Sequence, residues 1–358
     1  MSIKSINNQL PKVTICVPVR NGARTIQRTL DSLLNQDYPN YEIIVSDNCS
    51  DDETAKIVRQ YASNGVKYFF NPVLKKWGAE SNWNHILTLA EGPLIALYHA
   101  DDLYTPTMVR RQVEFLKKNY KASAVFTMSQ IIDEKDRPIR MSNFTLPKEY
   151  QGQDIFPFPD LFNAVLKYRT ITVVPTMMTR KVLLDKVGNF NWRQFCSAAD
   201  IDLYLRMAQI GTIGIIDEPL HKYRISPQQG TTLIDKSRTH LAHFFWVMDY
   251  WLSQTDMNQF VESSARSMYD MYRASDHVRC AMNMLVLKQP NEAKKMLKKA
   301  LKVRHLYSAV QRPRKLFVLV FGYLLLWSIY FGAGPLAGQG LYRAHQFYLQ
   351  WPRKPLNE

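Results

Sequence analysis

The chain lacks a CxxC pair, a GxGxxG turn, internal repeats and low-complexity tracts. Its four cysteines, Cys16, Cys49, Cys196 and Cys280, are scattered over 358 residues. Such spacing supplies neither a zinc site nor a disulfide framework, so a reducing compartment is expected. The opening MSIKSINNQLPKV has no apolar core, and no signal peptide is predicted. With only Gly22 in the first strand-to-helix turn, a dinucleotide cofactor has no glycine-rich cradle for its pyrophosphate. Disorder is excluded by a hydrophobic content of 46%.

Acidic residues are scarce in one place. Between Lys288 and Lys315 ten Lys or Arg face a single acid, Glu292, so most of the net charge of +15 is local. Nucleic acid is one partner for such a block. The sequence that follows directs the reading elsewhere, and no nucleic acid is expected. From Leu316 to Gly334 runs LFVLVFGYLLLWSIYFGAG, with no charge before Arg343. As a helix this run is roughly 28 Å long, close to the ~30 Å apolar core of a bilayer. A basic block directly before it predicts, by the positive-inside rule, that the N-terminal part faces the cytoplasm. Lys294, Lys295, Lys298, Lys299 and Lys302 are then expected against anionic headgroups at the cytoplasmic face of the cell membrane. Gly332, Gly334 and Pro335 leave a spanning and an interfacial helix equally open.

The first 130 residues alternate between the two hydrophobic periods. VTICVPV, YEIIVSD, VKYFF, PLIALYH and SAVFTMSQII read as strands, and the segments between them as helices. Ser50 and Glu53 have capping-box spacing. Thr105 followed by Pro106 predicts another helix start. Repeated β-α-β units of this kind build a mainly parallel sheet flanked by helices. Further on, PDLFNAVLKY and AADIDLYLRMAQI read as helices, and TVVPTMMT, TIGIID and LHKYRI as strands. The expected division is an α/β domain over 1–232, a helical extension with the basic block over 233–311, and a membrane-associated helix and tail over 312–358.

In open sheets of this type ligands sit beyond the carboxyl ends of the strands. Three such ends are rich in polar groups: VRN with Arg20 and Asn21, SDNCSDD with Asp47, and HADD with His99, Asp101 and Asp102. Carboxylates gathered there repel one another unless a cation joins them, and Mg²⁺ or Mn²⁺ prefers oxygen ligands. Asp51 and Asp52 suit a helix start instead. Asp202 stands four residues before Arg206, the spacing of a helix-face ion pair. His221, Tyr223 and Arg224 read first as structural, the alternatives being a metal contact for His221 and phosphate neutralisation for Arg224; Trp77 either stacks on a sugar or fills the core.

The series VPVRN, IIVSDNCSDD, NWNHILTLAEG, HADD and AADIDLYLR resembles the family 2 glycosyltransferases, over about Val13 to Tyr223. The resemblance implies a GT-A fold and an inverting transfer of a sugar from a nucleoside diphosphate sugar to an acceptor hydroxyl, with Mg²⁺ or Mn²⁺. It implies that Pro18, Arg20, Asn21, Asp47, Asn82 and Asp101 meet the nucleotide. Asp101 and Asp102 would hold the metal, and Asp200 would be the catalytic base. His99 departs from the pattern, standing where the first acid of a DxD motif is expected, and is the third candidate ligand. With a membrane helix, a lipid-linked saccharide is the expected acceptor, in polysaccharide or glycolipid assembly. The alternatives are a sugar nucleotidyltransferase and a non-catalytic, membrane-bound carbohydrate-binding protein.

Overall fold

A computed structural model describes residues 10–72, 79–226, 238–302, 313–332 and 340. Trp77, and Gly78, which the resemblance sets in the loop preceding the metal strand, lie outside these residues. The strands are β1 (Val13–Val19), β2 (Tyr41–Asp47), β3 (Lys67–Phe70), β4 (Leu94–Leu97), β5 (Leu103–Tyr104), β6 (Ala122–Ile132), β7 (Pro138–Phe144), β8 (Ile155–Phe156), β9 (Met177–Arg180) and β10 (Thr212–Arg224). The helices of the same region are α1 (Ile26–Leu34), α2 (Thr54–Gln60), α3 (Ala79–Leu89), α4 (Met108–Lys118), α5 (Phe158–Tyr168), α6 (Lys181–Val187), α7 (Trp192–Phe195) and α8 (Ala199–Ile210).

One ten-stranded sheet runs in the order β3-β2-β1-β4-β9-β6-β10-β5, with β7 on β6 and β8 on β10. The strands β3, β2, β1 and β4 are parallel, as are β6 and β10. The expectation of a mainly parallel sheet is corrected at β9. TVVPTMMT yields a strand that runs antiparallel between β4 and β6, pairing Leu97 with Met177 and Val125 with Met178. The two strands read in TIGIID and LHKYRI are one, β10, whose register against β6 shifts around Pro219. The sheet's core is aliphatic: Val13, Ile15, Val17, Leu30, Ile43 and Val45 are all buried.

Two helix starts differ from expectation. The helix α2 begins at Thr54 rather than at Ser50, because Ser50 Oγ accepts the Asn21 N–H instead (2.8 Å). The helix α4 begins at Met108, because the backbone of Thr105 is engaged by Leu220 O and by the Gln36 amide.

The chain divides into two compact units, residues 1–161 with 170–225, and residues 162–169 with 226–356. In the second, α9 (His243–Ser253), α10 (Ser263–Val286), α11 (Pro290–Ala300) and α12 (Pro313–Tyr330) follow one another. The helices α10, α11 and α12 share a core of Met271, Val278, Leu285, Leu297, Leu319 and Leu325. A Cβ on Gly322 would stand 2.8 Å from Val278 Cγ2 and 3.1 Å from Leu301 Cδ2, so glycine there lets α12 settle onto its neighbours. Among the described residues no helix is long and apolar enough to cross a membrane. The apolar run of the C-terminal region is therefore seen as one member of a helical unit, and its spanning form finds no support.

A buried ion pair closes this unit. Both Arg238 terminal nitrogens donate to Asp276 at 2.8 Å, and Ala242 N–H adds a bond at 2.9 Å. These contacts hold the Asp276 carboxyl below the usual carboxylate range despite its burial. Removing one partner of such a pair strands the other charge. Asp276→Ala is therefore expected to cost about 3–5 kcal/mol, read by urea unfolding of the full chain.

Candidate active site

The site is built at the carboxyl ends of β1, β2 and β4. The strand β1 pairs with β4 only as far as Cys16 and Leu97, with a last bond from Tyr98 N–H to Cys16 O (2.9 Å). Amides alternate sides along a strand, so residue 18 faces β4 as Cys16 does. Residue 18 is proline and has no N–H to give. Pairing stops, and the chain from Tyr98 to Asp102 turns away. Pro18 is thus buried within β1 and opens the crevice.

The turns after β1 and β2 are joined to each other. Each passes through a left-handed residue, Asn21 (φ 52°) and Cys49 (φ 56°). Asn21 Oδ1 accepts the Asp51 N–H (3.0 Å), and Asp52 accepts the Ala23 N–H (3.0 Å). Arg20 and Asn21 remain exposed at this edge. Asp47 ends β2 and is fully buried. Its Oδ1 accepts the Ser50 N–H and its Oδ2 the Tyr68 hydroxyl, both at 2.8 Å. Burial, and then this bond to Asp47, push the Tyr68 phenol up, so it stays a donor.

Asn82 has a structural part in this structure. It is buried on β2, where Oδ1 accepts from Ser46 Oγ (2.7 Å) and Nδ2 donates to Ser46 O (2.8 Å). It pins α3 to the sheet.

One ligand atom from each of His99, Asp101 and Asp102 lies within 4.8 Å of the others. His99 stacks on Trp83, with ring centroids 5.3 Å apart. Its backbone exchanges hydrogen bonds with the Tyr104 hydroxyl. Burial, helped by His221, pushes its imidazole down to about 4, against the pull of Asp102. His99 is therefore neutral, and its Nε2 is buried without a hydrogen-bond partner. An orphaned neutral nitrogen beside two carboxylates is a donor set that fits a divalent cation.

Asp102 is the anchored member of the three. His221 Nε2 lies 3.0 Å from Asp102 Oδ2, and Arg224 N–H donates to Oδ1 (2.8 Å). His221 Nδ1 in turn meets Ser129 Oγ at 2.8 Å. Arg224 lies across the same junction, with Nε on Asp101 O (2.7 Å) and Nη1 on Asp133 O (2.9 Å). These contacts tie β10 to the chain after β4. Asp101 stays partly exposed beside them.

Asp200 lies in the first turn of α8 and is partly exposed. Burial pushes its carboxyl up to about 7; two backbone N–H groups oppose this, and Glu80 adds to it. Glu80 opens α3, and Trp83, one turn later, packs on His99. One helical turn of α3 therefore meets both Asp200 and the His99 cluster. Asp202 is buried, accepting from Arg206 Nε and Asn191 Nδ2, both at 2.9 Å. Tyr68, Glu80 and Trp83 escape a reading of the sequence, since nothing local marks their long-range partners.

Comparison with known proteins bears on this geometry. Residues 14–188 match the family model for glycosyl transferase family 2. The Bacillus subtilis protein named "Putative glycosyltransferase EpsE" is 30% identical over 221 residues, 61% of this chain and 74% of that protein. "Uncharacterized glycosyltransferase RT0329" of Rickettsia typhi is 27% identical over 226 residues, 63% of this chain and 67% of its own length. In fold, the chain is similar to S. aureus TarS 1-349 solved in complex with UDP-GlcNAc. The TM-score is 0.57 at 17% identity, covering 90% of this chain and 92% of that one.

Mn²⁺ titration of the purified protein, followed by electron paramagnetic resonance, tests the cluster. His99→Ala is expected to weaken Mn²⁺ more than Mg²⁺, because Mg²⁺ gains little from an imidazole. His221→Asn, which removes a support behind a ligand, is expected to weaken Mn²⁺ by roughly 10–100-fold.

Proposed function

This chain belongs to glycosyl transferase family 2, and from that premise we propose that it transfers a hexose, with inversion, from a nucleoside diphosphate sugar to a hydroxyl of a lipid-linked saccharide. The observation that carries the chemistry is the pair of environments along α3. A neutral imidazole and two carboxylates stand beside Trp83. A carboxylate pushed up to about 7 is under the influence of Glu80, one turn earlier.

The acceptor oxygen attacks the anomeric carbon as the bond from that carbon to the diphosphate oxygen breaks. The nucleoside diphosphate leaves with the bonding electrons. The proton of the acceptor hydroxyl passes to the Asp200 carboxylate. A base with this pKa is matched to neutral pH, and such a group typically contributes ~10²–10⁴-fold. A single displacement inverts the anomeric centre, and no nucleophilic side chain is needed. Asp47, Arg20 and Asn21, joined across two turns, are the groups assigned to the nucleotide. A divalent cation held by His99, Asp101 and Asp102 would supply positive charge where the diphosphate becomes more negative. The imidazole among these donors favours Mn²⁺ over Mg²⁺.

The lipid-linked acceptor, in polysaccharide or glycolipid assembly at the cytoplasmic face of the membrane, is supported by the basic block and the apolar run that follows it. A panel of UDP-, GDP-, dTDP- and ADP-sugars, with and without Mn²⁺, read by released nucleoside diphosphate, tests the donor. Release from one donor, greater with Mn²⁺, is expected. Formation of pyrophosphate from a nucleoside triphosphate and a sugar phosphate would overturn the reading in favour of a nucleotidyltransferase. Lipid-linked and soluble acceptors compared under the same conditions test the acceptor.

The base is active when ionised, so kcat/KM is expected to fall as pH drops through about 7. Asp200→Asn is expected to abolish turnover while leaving Mn²⁺-dependent nucleotide binding, whereas Asp101→Ala loses both. The folded state favours neutral Asp200, and its contribution to stability is lost as pH rises from about 4 through about 7. Asp200→Asn is therefore expected to raise Tm at pH 8 and not at pH 4, read by calorimetry.

A further inference from the structure

The helix α12 is apolar on all sides, yet it is covered on one. Its inner face carries Leu319, 1% exposed, and Gly322 against α10 and the end of α11. On the other face Phe317, Val320, Leu324, Trp327 and Phe331 follow one another at steps of three and four residues. Leu324 is 61% and Trp327 65% exposed. That spacing draws a single stripe along a helix. No acid or base interrupts Leu316 to Gly332.

A second feature lies beside the stripe. Leu301, just beyond the end of α11, lies near Gly322, and Lys294, near its start, places Nζ 3.8 Å over the Tyr330 ring. The two helices are thus antiparallel neighbours, and α11 carries the exposed Lys298, Lys299 and Lys295, the last paired with Glu292 (2.9 Å). An apolar face with a tryptophan, bordered by lysines, has the chemistry of an interfacial helix.

We infer that this face of α12 lies in the headgroup plane of an anionic bilayer, with the lysines of α11 on lipid phosphates. A second copy of the chain fits less well, since a self-pairing of this patch brings lysine rows together. A spanning arrangement would require lipid around a helix whose inner face is already packed on protein. The inference rests on the proposal of a membrane-held enzyme and gives that attachment a surface.

Co-sedimentation of the full chain with vesicles tests it. Phosphatidylcholine containing about a third phosphatidylglycerol is compared with phosphatidylcholine alone, at low and raised salt. Wild type is expected to pellet with the anionic vesicles and to be released by salt. Leu324→Glu with Trp327→Glu is expected to remove binding, and Lys298→Glu with Lys299→Glu to weaken it roughly tenfold or more. These side chains are exposed, so an unchanged Tm is the control for folding. Wild type in the supernatant throughout overturns the attachment itself. If the apolar variant pellets like wild type, attachment stands and this face is wrong. A wild-type dimer that the apolar variant converts to monomer, without vesicle binding, assigns the face to a second copy. Release of the protein from cell membranes by alkaline carbonate is expected, and retention would overturn the in-plane arrangement. Release of nucleoside diphosphate in solution, measured on the same preparations, reports the transferase separately.

Discussion

The candidate site depends on one buried contact, the meeting of Asp102 with His221. Asp102 follows β4, and His221 lies within β10, three strands away across the sheet. The Arg224 N–H fills the other carboxylate oxygen, and Ser129 fills the far side of the imidazole. The pairing of β5 with β10, Tyr104 against His221, brings the end of β10 against the turn that carries His99 and Asp101. Asp102 Oδ2 stands close to His221 Nε2 there, although neither atom makes a hydrogen bond, so this oxygen, like His99 Nε2, keeps a lone pair for a cation. The arrangement leaves Asp101 partly exposed while its neighbour anchors the backbone. Two adjacent acids thus take different parts, one holding the chain and the other facing the crevice.

The opposite wall works through desolvation. Asp200 has no basic partner among its named contacts; its elevated carboxyl results from burial, with Glu80 adding to it. A carboxylate near neutrality gives away some stability in exchange for basicity. The helix α3 joins the two walls, since Asn82 fixes it to β2 while Glu80 and Trp83 face the two sets of reactive groups. Mixed polar and aromatic composition in AESNWNH follows from that triple duty.

Much of this architecture can be read from local pattern. The alternation from Val13 to Ile132 is legible because each strand is an unbroken apolar run and each helix an amphipathic one. That Asp47, His99, Asp101 and Asp102 stand at or just beyond the carboxyl ends of strands of one sheet follows from parallel order alone. Reading stops where partners are distant in sequence. TVVPTMMT shows a strand, but its direction is set by β4 and β6, which lie elsewhere in the chain. The Ser50 cap is legible and still not formed, because Asn21 competes for the same oxygen. The two bonds from Asn82 to Ser46 are likewise invisible in the sequence, because the partners lie 36 residues apart. The apolar C-terminal run shows its hydrophobicity in full, yet which side faces protein is decided by Gly322, Val278 and Leu301 together.

The reversed direction of β9 has a further consequence. Because it runs against β4 and β6, the chain leaves β6 and re-enters the sheet on the same side of the molecule, where the polar strand ends are. The excursion from Asp133 to Thr176 therefore starts and finishes at one edge, yet it is tied to the sheet on its way, since β7 pairs with β6 and β8 with the start of β10. Added or removed residues are thus confined to the turns between its elements.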